Sequence, residues 1–294
     1  MLWRIHSCVS VQSRRTQQHG ITQLTKKTVA EKTIQDFGDQ WTRFVTNEGF
    51  YGSKELFEDI VGPSIETNEL VGKKILDVGS GTGRIVAMLI AAGAEHVTAV
   101  EPSEAFEILE KNAALIRNET GKDVICMRTT GDKMELPYSY DAAFSIGVLH
   151  HIPDPDPVVQ KIHAALRPGG KLVAWLYGKE GNRLYLRIIE PLRKLTKHLP
   201  HPALMGIVWL LYLALIVYHE MCKLIRLPLS DYIINVLFRM APDKRRLVIY
   251  DQLNPAYAKY YTEIEATDLL KRAGFSDVST FSRRGYSWIV VGKK

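Results

Sequence analysis

The sequence predicts an α/β protein built on a doubly wound, mostly parallel, seven-stranded sheet. Three observations predict it. Short β-rich runs alternate with helix-forming runs between residues 73 and 177, the first of these runs ends in a glycine-rich turn, and the chain closes with two β-rich runs around Gly285. Regular alternation of strands and helices is typical of parallel sheets, because each parallel pair needs a crossover connection. A chain of 294 residues is long enough for one large domain of this kind.

The individual elements follow from local patterns of apolar, capping and turn residues. We expect strands at residues 73–78, 96–102, 123–130, 140–148, 171–177, 278–284 and 285–292, and helices at 84–94, 103–117, 156–166 and 262–275. Ser103 and Thr262 are the expected N-caps of two of these helices. The alternation stops after Gly178 and resumes near residue 262, so residues 178–261 are predicted to be a helical insertion after the fifth strand, both apolar and basic.

Residues 1–34 have the composition of a basic extension. They are rich in Ser, Thr, Gln and Arg, and the first 30 residues carry five basic side chains and no acidic one. This composition is typical of a mitochondrial transit peptide and equally of a disordered tail, so both readings stay open. The folded domain is therefore expected over residues 35–294, in a protein of the cytoplasm or the mitochondrion.

The net charge of +6 is unevenly distributed along the chain. Residues 183–246 hold 11 Lys and Arg against 4 Asp and Glu, whereas the chain outside the two basic segments has a net charge of −6. Nucleic-acid-binding domains present a basic stripe, so the acidic body argues against a nucleic-acid partner. The three cysteines, Cys8, Cys126 and Cys222, lie far apart, which predicts a reducing compartment and no metal centre.

The strongest signal for function is the segment ILDVGSGTGR at residues 75–84. Gly79, Gly81 and Gly83 stand between a strand and a helix, where glycine allows positive φ and lets a ligand lie against bare backbone. The N-terminus of the following helix favours an anionic group. Glu101, at the end of the next strand, can accept hydrogen bonds from both hydroxyls of a ribose. These features predict a cofactor that contains adenosine.

A dinucleotide is disfavoured, because the third glycine of the G-x-G-x-x-G fingerprint would fall on Arg84. The pattern D-x-G-x-G-x-G instead resembles motif I of the class I S-adenosylmethionine-dependent methyltransferases. The resemblance continues through residues 70–178, where AVEPS, GDKMELP, DAAFSIGVLHHIPDP and LRPGG occur in the order that the family shows. The chain is most similar to the type 11-like branch, which methylates small molecules and quinone precursors.

The resemblance implies a role for each matching residue. Asp77 and the three loop glycines would hold the methionine end of S-adenosyl-L-methionine, and Glu101 would hold its ribose. Asp132 would meet the adenine amino group, with Met134 beside the adenine ring. For Asp132 a purely turn-forming role is the alternative, because aspartate is favoured in turns.

Two adjacent histidines are the candidates for acid–base chemistry. Methyl transfer from a sulfonium needs orientation and exclusion of water, and it needs a base only if the acceptor loses a proton. His150 and His151 follow the strand at 140–148, at the sheet edge where open α/β sheets bind ligands. Adjacent side chains rarely face one cavity, so we expect one catalytic histidine at most. His150 is the candidate, and a structural histidine at a helix start is the alternative.

Aromatic residues outside the motifs have two possible roles. Trp41 and Tyr51 precede the first strand, and they either close over the cofactor or pack in the core. Residues 250–261 are dense in tyrosine, and Tyr257, Tyr260 and Tyr261 either line an acceptor pocket or belong to a structural return loop.

Residues 203–218 form an uncharged run of 16 residues that is apolar on every face. As a helix it would reach about 24 Å, short of the roughly 30 Å hydrocarbon core of a bilayer. Basic residues flank the run: Arg193, Lys194 and Lys197 before it, and Lys223 and Arg226 after it. The pattern predicts peripheral contact with a membrane or with a lipophilic substrate, and a buried helix or a dimer contact is the alternative.

Together these observations predict a methyltransferase that uses S-adenosyl-L-methionine on a small, hydrophobic molecule. Two alternatives stay open: a catalytically silent S-adenosylmethionine-binding protein with an assembly or regulatory role, and a methyltransferase directed at tRNA or protein. The acceptor atom, whether oxygen, carbon or nitrogen, is open as well.

Overall fold

The computed structural model describes residues 25–137 and 139–294. Within them, the strands form a seven-stranded sheet in the order β3-β2-β1-β4-β5-β7-β6. The strands are β1 (Lys74–Val78), β2 (His96–Val100), β3 (Asp123–Met127), β4 (Tyr140–Ile146), β5 (Leu166–Tyr177), β6 (Ser276–Arg283) and β7 (Ser287–Lys293). The first five strands are parallel, and β7 runs antiparallel between β5 and β6. The predicted fold class, with its C-terminal antiparallel hairpin, is confirmed.

Helices cover both faces of the sheet. They are α1 (25–41), α2 (Lys54–Val61), α3 (Arg84–Ala91), α4 (Phe106–Thr120), α5 (Asp156–Ala165), α6 (Arg183–Thr196), α7 (His201–Leu224), α8 (Ser230–Asn235), α9 (Pro242–Leu253) and α10 (Glu263–Arg272). Successive residues of a strand face opposite sides, and β1 shows this directly. Ile75 belongs to the buried cluster that contains Leu89 of α3, and Leu76 belongs to the one that contains Ile162 of α5. The strands are apolar on both sides because both faces of the sheet are covered.

Capping differs between the two helices for which the sequence predicts an N-cap. Thr262 caps α10, and its hydroxyl and the Glu265 side chain form a reciprocal capping box. α4 instead begins at Phe106 rather than at residue 103, and Ser103 accepts a hydrogen bond from the backbone nitrogen of Ala105 in the preceding turn. The serine therefore stabilises the turn and not the helix.

The predicted boundary after residue 34 falls inside a helix. α1 already runs from residue 25, and Thr33 and Asp36 are buried. Asp36 is bonded to the segment after α9, where its carboxylate accepts from the backbone nitrogen of Ala256. The transit-peptide and tail hypotheses for residues 1–24 concern a part of the chain that lies outside the described residues.

The insertion consists of α6 to α9 and packs as a layer on the domain. α6, α7 and α9 share a buried cluster made by Ile189, Leu204, Val208, Tyr250 and Leu253. Farther along, Val236, Leu237, Met240 and Leu247 join the buried cluster that covers one face of the sheet. The insertion is thus an integral part of the structure.

α7 is longer than the apolar run of the sequence. It contains 24 residues and is about 36 Å long at 1.5 Å per residue. By length and composition it could therefore cross a membrane. The expectation that the helix is shorter than the hydrocarbon core of a bilayer is wrong. One stripe of the helix is nevertheless buried against the protein along its whole length, through Leu204, Val208, Tyr212, His219 and Cys222. The rest of its surface is largely exposed and apolar.

Candidate functional site

A cavity of about 620 Å³ lies at the carboxyl ends of the parallel strands. The glycine loop after β1, Glu101 after β2, Asp132 after β3, His151 after β4 and Tyr177 at the end of β5 all line it. The order of the strands reverses between β1 and β4, and open α/β sheets bind ligands at such a switch point.

The glycine loop leaves bare backbone on the cavity wall. Gly79 has a φ of +81°, and a Cβ there would lie 2.4 Å from Cγ2 of Val148, so the position admits no side chain. Gly81 has a φ of +55°, and a Cβ there would meet only the indole of Trp41, with Nε1 at 3.6 Å. A side chain at Gly81 would therefore point into space that a ligand can use.

Glu101 joins the loops that follow β1 and β2. Its Oε2 accepts a hydrogen bond from the backbone nitrogen of Gly81 at 2.8 Å, and its Oε1 accepts one from that of Ser103 at 2.9 Å. Each carboxylate oxygen has a second lone pair, so Glu101 can accept further hydrogen bonds from a ligand in the cavity. Its position fits the ribose-binding role that the resemblance implies.

Asp77 lies beneath the glycine loop and is almost fully buried. Its Oδ2 has no hydrogen-bond partner among the described residues. Burial raises the pKa of this carboxyl from its ordinary value of 3.8 to about 7, and the negative charge of Glu101 adds to the increase. Asp77 lies behind the cavity wall and does not itself line the cavity. Its unpaired oxygen beside bare backbone fits a cationic or hydrogen-bond-donating group of a ligand that reaches it past the loop, as expected for the methionine end of the cofactor.

The two residues implied for adenine do not lie together. Asp132 is exposed and lines the cavity. Met134 is 2 % exposed and belongs to the buried cluster behind the sheet, with Leu149 and Val158. The structure therefore brings Asp132 to the cavity but gives Met134 a core position, since the chain turns inward after Asp132.

The histidine expected to be catalytic is buried away from the cavity. The ring of His150 lies 3.8 Å from that of Tyr177 and 4.2 Å from that of His151, measured between centroids. Neither of its nitrogens has a partner among the described residues, and burial lowers its pKa well below 6.5. The short 3₁₀ turn Leu149–His151 after β4 directs this side chain inward, where it packs among aromatic rings.

His151, the second of the pair, lines the cavity. Its Nδ1 lies 2.9 Å from the carbonyl oxygen of Tyr257, which can only accept, so Nδ1 carries the proton and Nε2 has the free lone pair. No described residue contacts Nε2 through a hydrogen bond. Burial lowers the pKa of His151 to about 4, so the ring is neutral at pH 7. The geometry favours His151 over His150 as the acid–base residue.

A polar cluster at the other end of the cavity was not predicted from sequence. The hydroxyl of Tyr177 donates to Oδ2 of Asp251 at 2.9 Å and accepts from Nε2 of Gln252 at 2.7 Å. Nε2 of Gln40, on α1, donates to Oδ1 of Asp251 at 3.0 Å. Asp251 and Gln252 fall within the tyrosine-dense run at residues 250–261. Two polar residues beside several tyrosines were the sequence signal that could have indicated this cluster.

The three tyrosines expected near the acceptor have different positions. Tyr260 lines the cavity, stacks on Tyr177 at 5.2 Å and accepts a hydrogen bond from the buried guanidinium of Arg193. Tyr261 packs in the cluster behind the sheet, and Tyr257 contributes its backbone oxygen to His151. Only Tyr260 has its side chain placed for contact with an acceptor.

α1 and the following turn cover the cavity on the side of the glycine loop. Phe37 and Trp41 line the cavity from α1, and Tyr51 lines it from the next turn. The guanidinium of Arg84 lies 4.5 Å from the centre of the Tyr51 ring. Trp41 thus contributes both to packing and to the cavity wall.

Residues 76–172 match the family model described as a methyltransferase domain. A ubiquinone biosynthesis O-methyltransferase from Idiomarina loihiensis is 36 % identical over 110 residues, which are 36 % of this chain and 43 % of the relative. A tRNA U34 carboxymethyltransferase from the same organism is 31 % identical over 123 residues, 42 % of this chain and 38 % of the relative. The chain spans less than half of the length of these relatives.

The fold of the chain is also similar to that of a solved structure. A magnesium protoporphyrin IX methyltransferase from Synechocystis PCC 6803 superimposes with a TM-score of 0.51 and 14 % identity, over 92 % of this chain and 96 % of that one. The family match runs from β1 into β5 and includes the glycine loop, Glu101, Asp132 and both histidines. α1, the insertion and the C-terminal hairpin, which complete the cavity and the sheet, lie outside it.

Proposed function

We propose that the protein is an S-adenosyl-L-methionine-dependent methyltransferase that acts on a small, hydrophobic molecule. One observation carries the proposal: a largely apolar cavity joins the bare glycine loop to the neutral His151 and the Tyr177–Asp251 pair. Directly behind the loop lies Asp77, whose Oδ2 has no partner among the described residues. The relatives named as ubiquinone O-methyltransferases support a small, lipophilic acceptor.

The residues present fit the cofactor. S-adenosyl-L-methionine, when bound, supplies a methyl group already activated by a sulfonium. The glycine loop and Asp77 would hold its methionine end, Glu101 its ribose, and Asp132 its adenine amino group. Trp41 would exclude water from this end of the cavity, where it already lies against Gly81.

At the acceptor end, the chain provides orientation and a proton acceptor. His151 is neutral at pH 7 and has Nε2 free, so it can take a proton from an acceptor hydroxyl as the methyl group is transferred. Tyr177, Asp251 and Gln252 offer donors and acceptors that can orient a polar head group. The apolar remainder of the wall would hold the rest of the acceptor.

The test incubates the full chain with S-adenosylmethionine labelled on its methyl group and a lipid-soluble cell extract. We expect label in a lipophilic small molecule and an equal amount of S-adenosylhomocysteine. Cofactor binding without S-adenosylhomocysteine would instead favour the silent binding protein. Label recovered only in added tRNA would favour the RNA-directed alternative. Two relatives named as tRNA U34 carboxymethyltransferases are the reason for including this arm.

We further propose that residues 203–218 make peripheral contact with a membrane, in the cytoplasm or in the mitochondrion. The support is the exposed apolar surface of α7 and the exposed basic residues that flank it, Lys194, Lys223 and Arg226, whereas Arg193 is buried in the protein. Sedimentation with vesicles rich in phosphatidylglycerol tests this at low salt. We expect the protein to pellet, and placing Asp at Leu210 and Leu213 to release it without loss of cofactor binding. Wild-type protein that stays in the supernatant would contradict the proposal.

A further inference from the structure

α6 and α7 are at once part of the cavity wall and part of the outer surface. The cavity is lined by Ile188 and Leu192 of α6 and by Leu211 and Leu215 of α7. Ile188 lines the cavity although its side chain is 63 % exposed. The cavity therefore reaches the surface at α6, with α7 forming another part of its wall.

The outer surface of these two helices is apolar. Exposed apolar side chains are Leu184, Ile188 and Leu195 on α6, and Trp209, Leu210, Leu213, Ile216, Val217, Met221 and Leu224 on α7. Their spacing on α7, at residues 210, 213, 217 and 224, places four of them on one face. An exposed apolar surface of this extent marks a contact with lipid or protein.

An anionic bilayer fits this surface better than a second copy of the chain does. Lys194, Lys223 and Arg226 are exposed at the ends of α6 and α7, and a two-fold dimer through this face would bring these positive charges together. An anionic bilayer surface complements the same charge. Since one stripe of α7 is buried against the protein along its length, the helix fits a position on a membrane surface better than a position across the bilayer.

We propose that the acceptor is an amphiphile that passes sideways from the bilayer into the cavity through the opening at Ile188. This inference rests on the proposed methyltransferase function. The polar head reaches His151 and the Tyr177–Asp251 pair, and the apolar tail lies along α6 and α7 towards the lipid. A free, water-soluble acceptor would have no need for an opening in an apolar outer surface.

The first experiment follows a lipid tail into the protein. A hexadecanol with a diazirine in the middle of its chain is incorporated into vesicles of phosphatidylcholine and phosphatidylglycerol, illuminated with the full-length protein, and mapped by mass spectrometry. We expect adducts on the surface residues Leu210 and Leu213, and also on Ile189 and Tyr177, which are only 8 % and 6 % exposed. Adducts on the surface residues alone would overturn the proposal and leave the membrane contact standing.

A matched pair of variants tests the opening itself. Ile188→Trp narrows it, whereas Leu195→Trp adds the same bulk on α6 at a residue that is 72 % exposed and does not line the cavity. We expect Ile188→Trp to lower labelling of Ile189 and Tyr177 severalfold relative to Leu195→Trp, with equal sedimentation on vesicles. Equal interior labelling in the two variants would contradict this route.

Calorimetry with S-adenosylmethionine distinguishes a failure of the proposed methyltransferase function from a failure of the lateral route. If the wild type binds no cofactor while interior labelling persists, the proposed function fails and the lipid route stands as a property of the cavity. If cofactor binds and interior labelling is absent, the lateral route alone is wrong.

Discussion

Burial acts in opposite directions on the two titratable residues that matter most at the site. It disfavours the charged form of each, so the pKa of Asp77 rises to about 7 and that of His151 falls to about 4. Near neutral pH the histidine is therefore uncharged, while the carboxyl is close to its midpoint. Neither shift could be predicted from sequence, because each depends on how completely the folded chain excludes water from the residue.

The pKa of Asp77 makes stability depend on pH. Because folding raises this pKa from 3.8, its contribution to stability is full below about pH 4 and is lost as pH rises through 7. The free energy of unfolding of the wild type should therefore fall relative to that of Asp77→Asn between pH 4 and pH 8, by at most about 4 kcal/mol. Urea unfolding of both proteins across this range measures the difference, and parallel pH profiles would contradict the assigned shift.

The pKa of His151 makes a different prediction for turnover. A base with a pKa of about 4 is already deprotonated at pH 6, so the rate at saturating cofactor should stay level between pH 6 and pH 8. For an acceptor that loses a proton, His151→Gln should lower turnover by roughly 10²–10⁴-fold. His150→Gln is the matched variant, and we expect it to change stability more than rate. A rate that falls by half near pH 6.5, or a larger loss in His150→Gln, would reverse the assignment.

Among the secondary-structure elements, those with a strong local pattern were predicted well. The β–α alternation and the Thr262 cap of α10 depend on neighbouring residues, and both agree with the structure. The start of α1 was assigned to the extension, because the side chains that hold this helix contact partners more than 200 positions away, as Gln40 does with Asp251. Polar composition at its start is typical of a tail, and only tertiary contacts distinguish it from one.

α1 also carries the aromatic cover of the cofactor end, and this can be tested. Trp41→Ala should weaken the binding of S-adenosylmethionine by about 2- to 13-fold, which corresponds to the roughly 0.5–1.5 kcal/mol typical of an aromatic contact. Trp41→Phe should retain most of the affinity. Calorimetry on the three proteins measures it, and unchanged affinity in Trp41→Ala would assign Trp41 to packing alone.

At the scale of the whole molecule, the cavity depends on segments that lie far apart in the sequence. The glycine loop and Glu101 could be predicted because their motif is local, whereas Tyr177, Asp251 and Gln252 come together only when the insertion folds back on the sheet. The choice between the two histidines also depends on residues distant in sequence. The sequence places both histidines at the sheet edge, and only the packing of Tyr177 and Trp175 around His150 decides which of them faces the cavity.

The central claim, that this cavity binds S-adenosylmethionine against the glycine loop, is tested most directly by calorimetry on the wild type and Gly81→Arg. The matched control is Gly121→Arg, since Gly121 also has a positive φ, of +69°, but has open space around it at the end of α4. The wild type and Gly121→Arg should bind the cofactor with similar affinity, and Gly81→Arg should remain folded and bind none. A folded wild type that does not bind, or a Gly81→Arg variant that binds as tightly as the wild type, would contradict the claim.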